Sequence, residues 1–161
     1  YFTPETLQRC VRTVKEAAER AGRNPDSVRV WSCFATVGDH LPEDLRLKKT
    51  VARLATYLQG YGDLMVRTNE WDPAVLQRFR ADAVVQSIGG GIDHKATAQQ
   101  IEHIATLIPD EWLEPAATGS ADQCVARIRR EFDYGADAVI LHGATPDELE
   151  PVVDAYRQIS P

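Results

Sequence analysis

No apolar run in the 161 residues approaches the roughly 18 to 20 that a helix needs to cross a bilayer, so no membrane span is predicted. A basic start followed by an apolar run and a small-residue cleavage site is also missing, which predicts a soluble cytoplasmic protein. Basic runs are short, the longest being Arg46-Leu47-Lys48-Lys49, and 24 acidic against 18 basic side chains leave a net charge of −6. That balance argues against nucleic acid or an anionic membrane as the main partner. Cysteine is scarce and odd in number: Cys10, Cys33 and Cys124 lie far apart inside apolar patterns and are expected to be buried free thiols in a reducing compartment. His40, His94, His103 and His142 show no HxxxH or HxH spacing, which argues against a metal site. A nucleophile elbow, a Rossmann fingerprint and a redox CxxC are likewise missing. Met65 is the single methionine, residue 1 is Tyr, and a helix signal begins almost at once, so a piece of a longer protein is expected.

What is present fits one globular domain over residues 1–161, with 43% hydrophobic residues, enough for a sizeable core. Thr3-Pro4-Glu5 supplies an N-cap, a first-turn proline and an acid, and Leu7, Val11, Val14, Ala18 and Ala21 follow at helical spacing up to Gly22. Val28 to Val37 is β-branched and aromatic and uncharged after Arg29, which predicts a strand buried on both faces. Pro42 opens a helix with Leu45, Val51, Leu54, Ala55 and Leu58 inward, expected to end at Gln59-Gly60. Tyr61 to Asn69 reads as a short helical segment, Asp72-Pro73 caps another to about Phe79, and Ser87 to Lys95 reads as a flexible loop around Gly89-Gly90-Gly91. Thr97 caps a helix that Pro109 ends or kinks, and Ala116-Ala117-Thr118 is a short strand. Ser120 with Gln123 forms a capping box for a helix reaching Gly135. Ala136 to His142 is the second strong strand, and Thr145 with Glu148 caps the last helix.

Apolar strands alternating with amphipathic helices indicate parallel βαβ units. So few strands leave edges open, which a complete fold avoids. A whole (β/α)8 barrel takes about 250 residues, so the expected fold is α/β: half of a TIM-type barrel with a helical insertion at about residues 60–113. Such a half exposes apolar strand edges and is expected to associate, either with the missing half or with a second copy.

Active groups of α/β barrels lie where strands end and helices begin. Three such corners are Thr36 to His40, Ala117 to Ser120 and Leu141 to Thr145. Each adjoins a helix start, where free N–H groups and the dipole favour an anion, although turn and cap geometry asks for the same residue types. Thr36, Asp39, Thr118 and His142 are the pocket candidates at these corners. His142 follows an apolar strand and suits a pocket mouth or a core position equally. His94 and Lys95 can donate hydrogen bonds to a substrate anion from their loop, or simply be solvated there. Gly89-Gly90-Gly91 lacks the Gly-Lys-Ser/Thr ending of a phosphate loop and reads as a mobile loop.

Three stretches together carry a resemblance: Arg29-Val30-Trp31-Ser32 through Thr36-Val37-Gly38-Asp39; Ala55 to Tyr61; and Ala117-Thr118-Gly119-Ser120 with Tyr134-Gly135-Ala136-Asp137-Ala138-Val139-Ile140-Leu141-His142-Gly143. The chain resembles, over essentially its whole length, the C-terminal half of the luciferase-like monooxygenase superfamily, in its actinobacterial coenzyme F420-dependent oxidoreductase branch. The resemblance implies a TIM-type barrel that binds F420, or alternatively FMN, at the C-terminal ends of its strands and transfers hydride to or from a small organic substrate. It also implies that the groups nearest the cofactor ring belong mainly to the N-terminal half, so no catalytic residue is assigned in these 161 residues. The contrasting expectation is a non-catalytic α/β module acting through protein–protein association.

Overall fold

The computed structural model describes residues 1–159. In chain order the elements are α1 (Pro4–Arg20), a 3₁₀ turn (Pro25–Ser27), β1 (Trp31–Gly38), α2 (Glu43–Leu47), a π-helical turn (Lys48–Ala52) and α3 (Arg53–Asn69). There follow α4 (Pro73–Ala81), α5 (Ala83–Ser87), α6 (Ile92–Lys95), α7 (Ala98–Ala105), α8 (Asp110–Leu113), β2 (Ala117–Gly119), α9 (Ala121–Asp133), β3 (Ala138–His142) and α10 (Pro146–Ile159). The helix starts are those dictated by side-chain chemistry. Thr3 accepts from Thr6 N–H, Asp72 from Ala74 N–H, and Thr97 and Ser120 each form a full capping box, with Gln100 and Gln123 respectively.

The three strands are parallel, in the order β2-β1-β3. β1 is long enough to serve two partners: Thr36–Gly38 align with Ala117–Gly119, and Trp31–Ala35 align with Ala138–His142. The α/β class with parallel strands is the one expected. The order places the first strand in the middle, whereas strands consecutive in sequence lie side by side around a closed barrel.

Two apolar cores hold the chain. One lies under α9 and α10 and joins Phe34, Ala117, Cys124, Val125, Ile128 and Val152. The other is helical, running from Val51 to Trp112, with Leu54, Leu58, Phe79, Ile92 and Ile104 almost fully enclosed. Within it Trp71 and Trp112 stack with ring centroids 4.4 Å apart, a geometry that adds to the large area both rings bury.

Several expectations need correction. β1 is buried on both faces only from Phe34 onward: Trp31 is 57% exposed, and Cys33 is exposed rather than buried because no layer among the described residues covers that half of the sheet. Cys10 is only half-buried; Cys124 alone is enclosed. The strand expected over Ala136 to His142 forms at Ala138–His142, with none of its five residues buried. No break occurs at Gln59-Gly60, and α3 runs unbroken to Asn69; an interior glycine costs a helix only about 1 kcal/mol, which a continuous buried face outweighs. The expected Ser87–Lys95 loop is ordered into a helical turn at Ile92–Lys95, because Asp93 is buried and bound there.

Truncating one member of the indole stack tests the helical core. Trp112→Ala removes a side chain that is 1% exposed and is expected to lower unfolding free energy by about 3–5 kcal/mol in urea titrations followed by far-ultraviolet circular dichroism. A loss below about 1 kcal/mol is incompatible with this packing.

Candidate functional site

Parallel strands bring their C-terminal ends to one edge of the sheet, and the three corners singled out in the sequence meet there. Thr118 aligns with Val37 and His142 with Ala35, so both side chains share one face of the sheet on either side of β1. Both are exposed. Thr36 belongs to the opposite face, aligned with Ala117 under the helices; it is fully buried and its hydroxyl has no hydrogen-bond partner among the described residues. Asp39 is exposed just beyond β1, and its N–H donates to Gly119 O at 2.8 Å, which locks the first two corners together.

Local backbone demands set the turn between β2 and α9. Gly119 has φ +99°, and a Cβ there would lie 2.2 Å from Gln123 Oε1, the atom that accepts from Ser120 N–H. Glycine is therefore needed for the turn and for the cap at once. The box uses the amides of Ser120 and Gln123, which leaves those of Ala121 and Asp122 at the helix start facing outward.

The third corner is gripped by groups the sequence reading did not connect. Lys49 of the π-helical turn donates to Gly143 O at 2.8 Å and pairs with Glu148 Oε2 at 2.9 Å. Glu148 also accepts from Thr145 N–H at 2.6 Å, and His40 Nε2 lies 3.0 Å from Glu148 O. The Thr145 amide, with Lys49 beside it, holds the Glu148 carboxyl below its ordinary range. Burial pushes the Cys124 thiol up to about 11, with the Asp39 carboxylate adding to the rise. That makes it a poor nucleophile at neutral pH.

His94 and Lys95 stay within the helical cluster. Lys95 Nζ donates to Gly89 O at 3.2 Å, and His94 Nε2 lies 3.6 Å from Asp93. Their neighbour is the better organised group: Asp93 Oδ2 pairs with Arg53 at 3.1 Å, its Oδ1 accepts from the Thr56 hydroxyl at 2.8 Å, and its N–H donates back to that hydroxyl at 3.0 Å. A second buried cluster, beneath β1, links Ser32 Oγ to Glu131 and Glu131 to Arg127, whose guanidinium sits over the Phe34 ring. The Arg127–Glu131 spacing of four on one helix was a readable signal for that pair; Lys49–Glu148 and Arg53–Asp93 span too much sequence to be read. Among the described residues no group of His, Cys, Asp and Glu is arranged to hold a metal ion.

Neither a family model nor a curated protein matches this chain. Among solved structures, the chain is similar to the coenzyme F420-dependent tetrahydromethanopterin reductase from Methanopyrus kandleri, with a TM-score of 0.64 and 20% identity over 93% of the chain. The chain spans 40% of that protein's length. The likeness shows the fold: an α/β arrangement shared with part of a TIM-type barrel protein.

Ionised Glu148 stabilises the third corner, and the sign of its pH dependence follows from its depressed value. Its contribution is fully present above its ordinary value of 4.5 and is lost as pH falls through the lower folded value. Glu148→Gln is therefore expected to lower Tm at neutral pH and to flatten part of the acid-induced fall between about pH 5 and pH 3, measured by thermal melts across pH. Parallel Tm profiles for the two proteins would rule this role out.

Proposed function

We propose that the chain is part of a flavin- or deazaflavin-dependent oxidoreductase that transfers hydride between coenzyme F420, with FMN as the alternative, and a small organic substrate. The observation that carries this reading is the overlap of 93% of the chain with an F420-dependent reductase, together with three corners gathered at the strand end where barrel enzymes work.

The residues present fit an anionic group of such a ligand at one place. The outward amides at the start of α9 form a positive helix end beside Gly119, where glycine leaves the backbone approachable. Ser120 and Thr118 flank that end and would hold the anionic group; His142, across β1 on the Thr118 face, would line the substrate side. F420 or FMN, when bound, supplies the hydride chemistry itself. This chain's part is to position and to wall. Lys49, bound to Gly143 O and to Glu148, fixes the β3–α10 turn that borders the mouth.

Groups nearest the cofactor ring lie outside these residues in this reading, and the rest of the barrel comes from another polypeptide segment or a second copy. The 161 residues alone are expected to be inactive. His94 and Lys95 then serve the helical cluster's outer surface.

Titration with F420 and, separately, FMN tests the proposal. The expected result is saturable binding with a shift in cofactor absorbance between roughly 400 and 450 nm, F420 binding more tightly. Gly119→Ala, which strains the turn, is expected to weaken binding about tenfold or more. Absence of binding by either cofactor, to the chain alone and to the chain joined to the remainder of a barrel, would overturn the reading and favour a non-catalytic association module.

A further inference from the structure

Helix ends of opposite polarity meet inside the helical cluster. Asp82 stands between α4 and α5 and serves both: its N–H closes α4 on Phe79 O, and its Oδ1 accepts from the Val84 and Val85 amides at 2.9 and 3.1 Å to open α5. The other carboxylate oxygen, Oδ2, lies 2.9 Å from Nε2 of His103, which sits in the last turn of α7. A carboxylate is favoured at a helix start and a cation at a helix end, so the charged forms of both side chains suit their places. Asp82 is the more enclosed partner, its side chain 18% exposed against 44% for His103. Beyond α5 the chain passes through Ile88 and three glycines, with positive φ at Gly90 and Gly91, before reaching His94 and Lys95. Side chains hold this turn at two points: Gln59 Nε2 donates to Ile88 O at 3.1 Å and Lys95 Nζ to Gly89 O at 3.2 Å.

The elements packed around His103 bring few rival charges. α5 carries none. On α4, Arg80 is bound to Asp63 of α3, and Arg78 makes no ion pair among the described residues. Glu102, beside His103 on α7, lines a groove with Glu43 and Asp44 of α2. In the π-helical turn, Lys49 is taken by Glu148, and Lys48 is exposed. Among the described residues His103 pairs with Asp82 alone.

We propose that Asp82 and His103 form a pH-sensitive clasp that ties α7 to the α4–α5 junction when the imidazole is protonated and loosens α5 and the glycine turn when it is not. The His103 ring, ahead of the Val85 and Val84 amides, holds the Asp82 carboxyl below its ordinary range. The carboxylate therefore stays charged while an imidazole titrates, between about pH 5 and pH 8. A protonated ring makes a charge-assisted bond, the stronger kind; a neutral ring leaves an ordinary hydrogen bond and removes the cation from the end of α7. The clasp's contribution is thus present on the acid side of the imidazole range and is lost as pH rises through it. Every part of the device lies within the helical cluster, so it holds whatever covers the sheet, and it is independent of the cofactor reading.

Amide hydrogen exchange followed by NMR, with protection factors corrected for the intrinsic effect of pH, tests this at Val84, Val85, Gln86 and Ile88. Protection at these amides is expected to be about two- to fivefold higher near pH 5.5 than near pH 8, with the amides of α9 as the unchanged reference. His103→Gln keeps a hydrogen-bonding side chain without a titrating charge and is expected to flatten the profile. Asp82→Asn keeps an oxygen for the cap of α5 and is expected to flatten it too; should one variant fail to fold, the other carries the comparison. A flat wild-type profile, a profile that His103→Gln leaves intact, or a rise shared equally by α9 overturns the proposal.

Discussion

A parallel sheet is at ease only when both faces are covered, and this sheet carries a helical layer along one face alone. Helices α9 and α10 pack on the Phe34 side, while the opposite side is closed only toward the strand ends, where Ala35 and Val37 are buried. The exposure of Trp31, Cys33 and Ile140 follows from that one-sidedness. β1 is the strand on which the arrangement hangs, because it alone hydrogen-bonds to both others.

Much of this was legible in the sequence because it rests on short-range chemistry. Thr3, Asp72, Thr97, Ser120 and Thr145 announced helix starts that the structure realises with side-chain bonds to backbone amides. The uncharged stretch around Phe34 and the run from Ala136 to His142 announced strands. What failed was inference about cover: an apolar strand looks the same whether or not a second layer lies over it, so Cys33 read as a buried thiol. Gly60 and Gly89–Gly91 misled for a related reason. Glycine permits a break without requiring one, and tertiary contacts made by Leu58, Ile92 and Asp93 decided the outcome.

The corners of the candidate site were found by the rule that helices begin where strands end, and parallel register brought Thr118 and His142 to one face. Thr36 went the other way by the same alternation that placed Val37. The groups that hold the third corner were beyond reach of pattern. Lys49 and Glu148 are distant in sequence and each has a bland local explanation, one as a surface lysine and one as a cap. Their pairing makes the π-helical turn a brace between the helical cluster and the last βα turn.

The two separate cores carry a consequence for how the chain reaches its fold. The helical cluster from Val51 to Trp112 is built from contacts close in sequence, of the kind that form on microsecond to millisecond scales. The β1–β2 ladder, by contrast, closes only after that whole segment has been looped back, an entropic toll that compact helices shorten by drawing the ends together. Helix formation in the middle of the chain thus acts as the clamp that lets the sheet zip, and lesions in the helical core will reach the strands first as a slower approach to the native state.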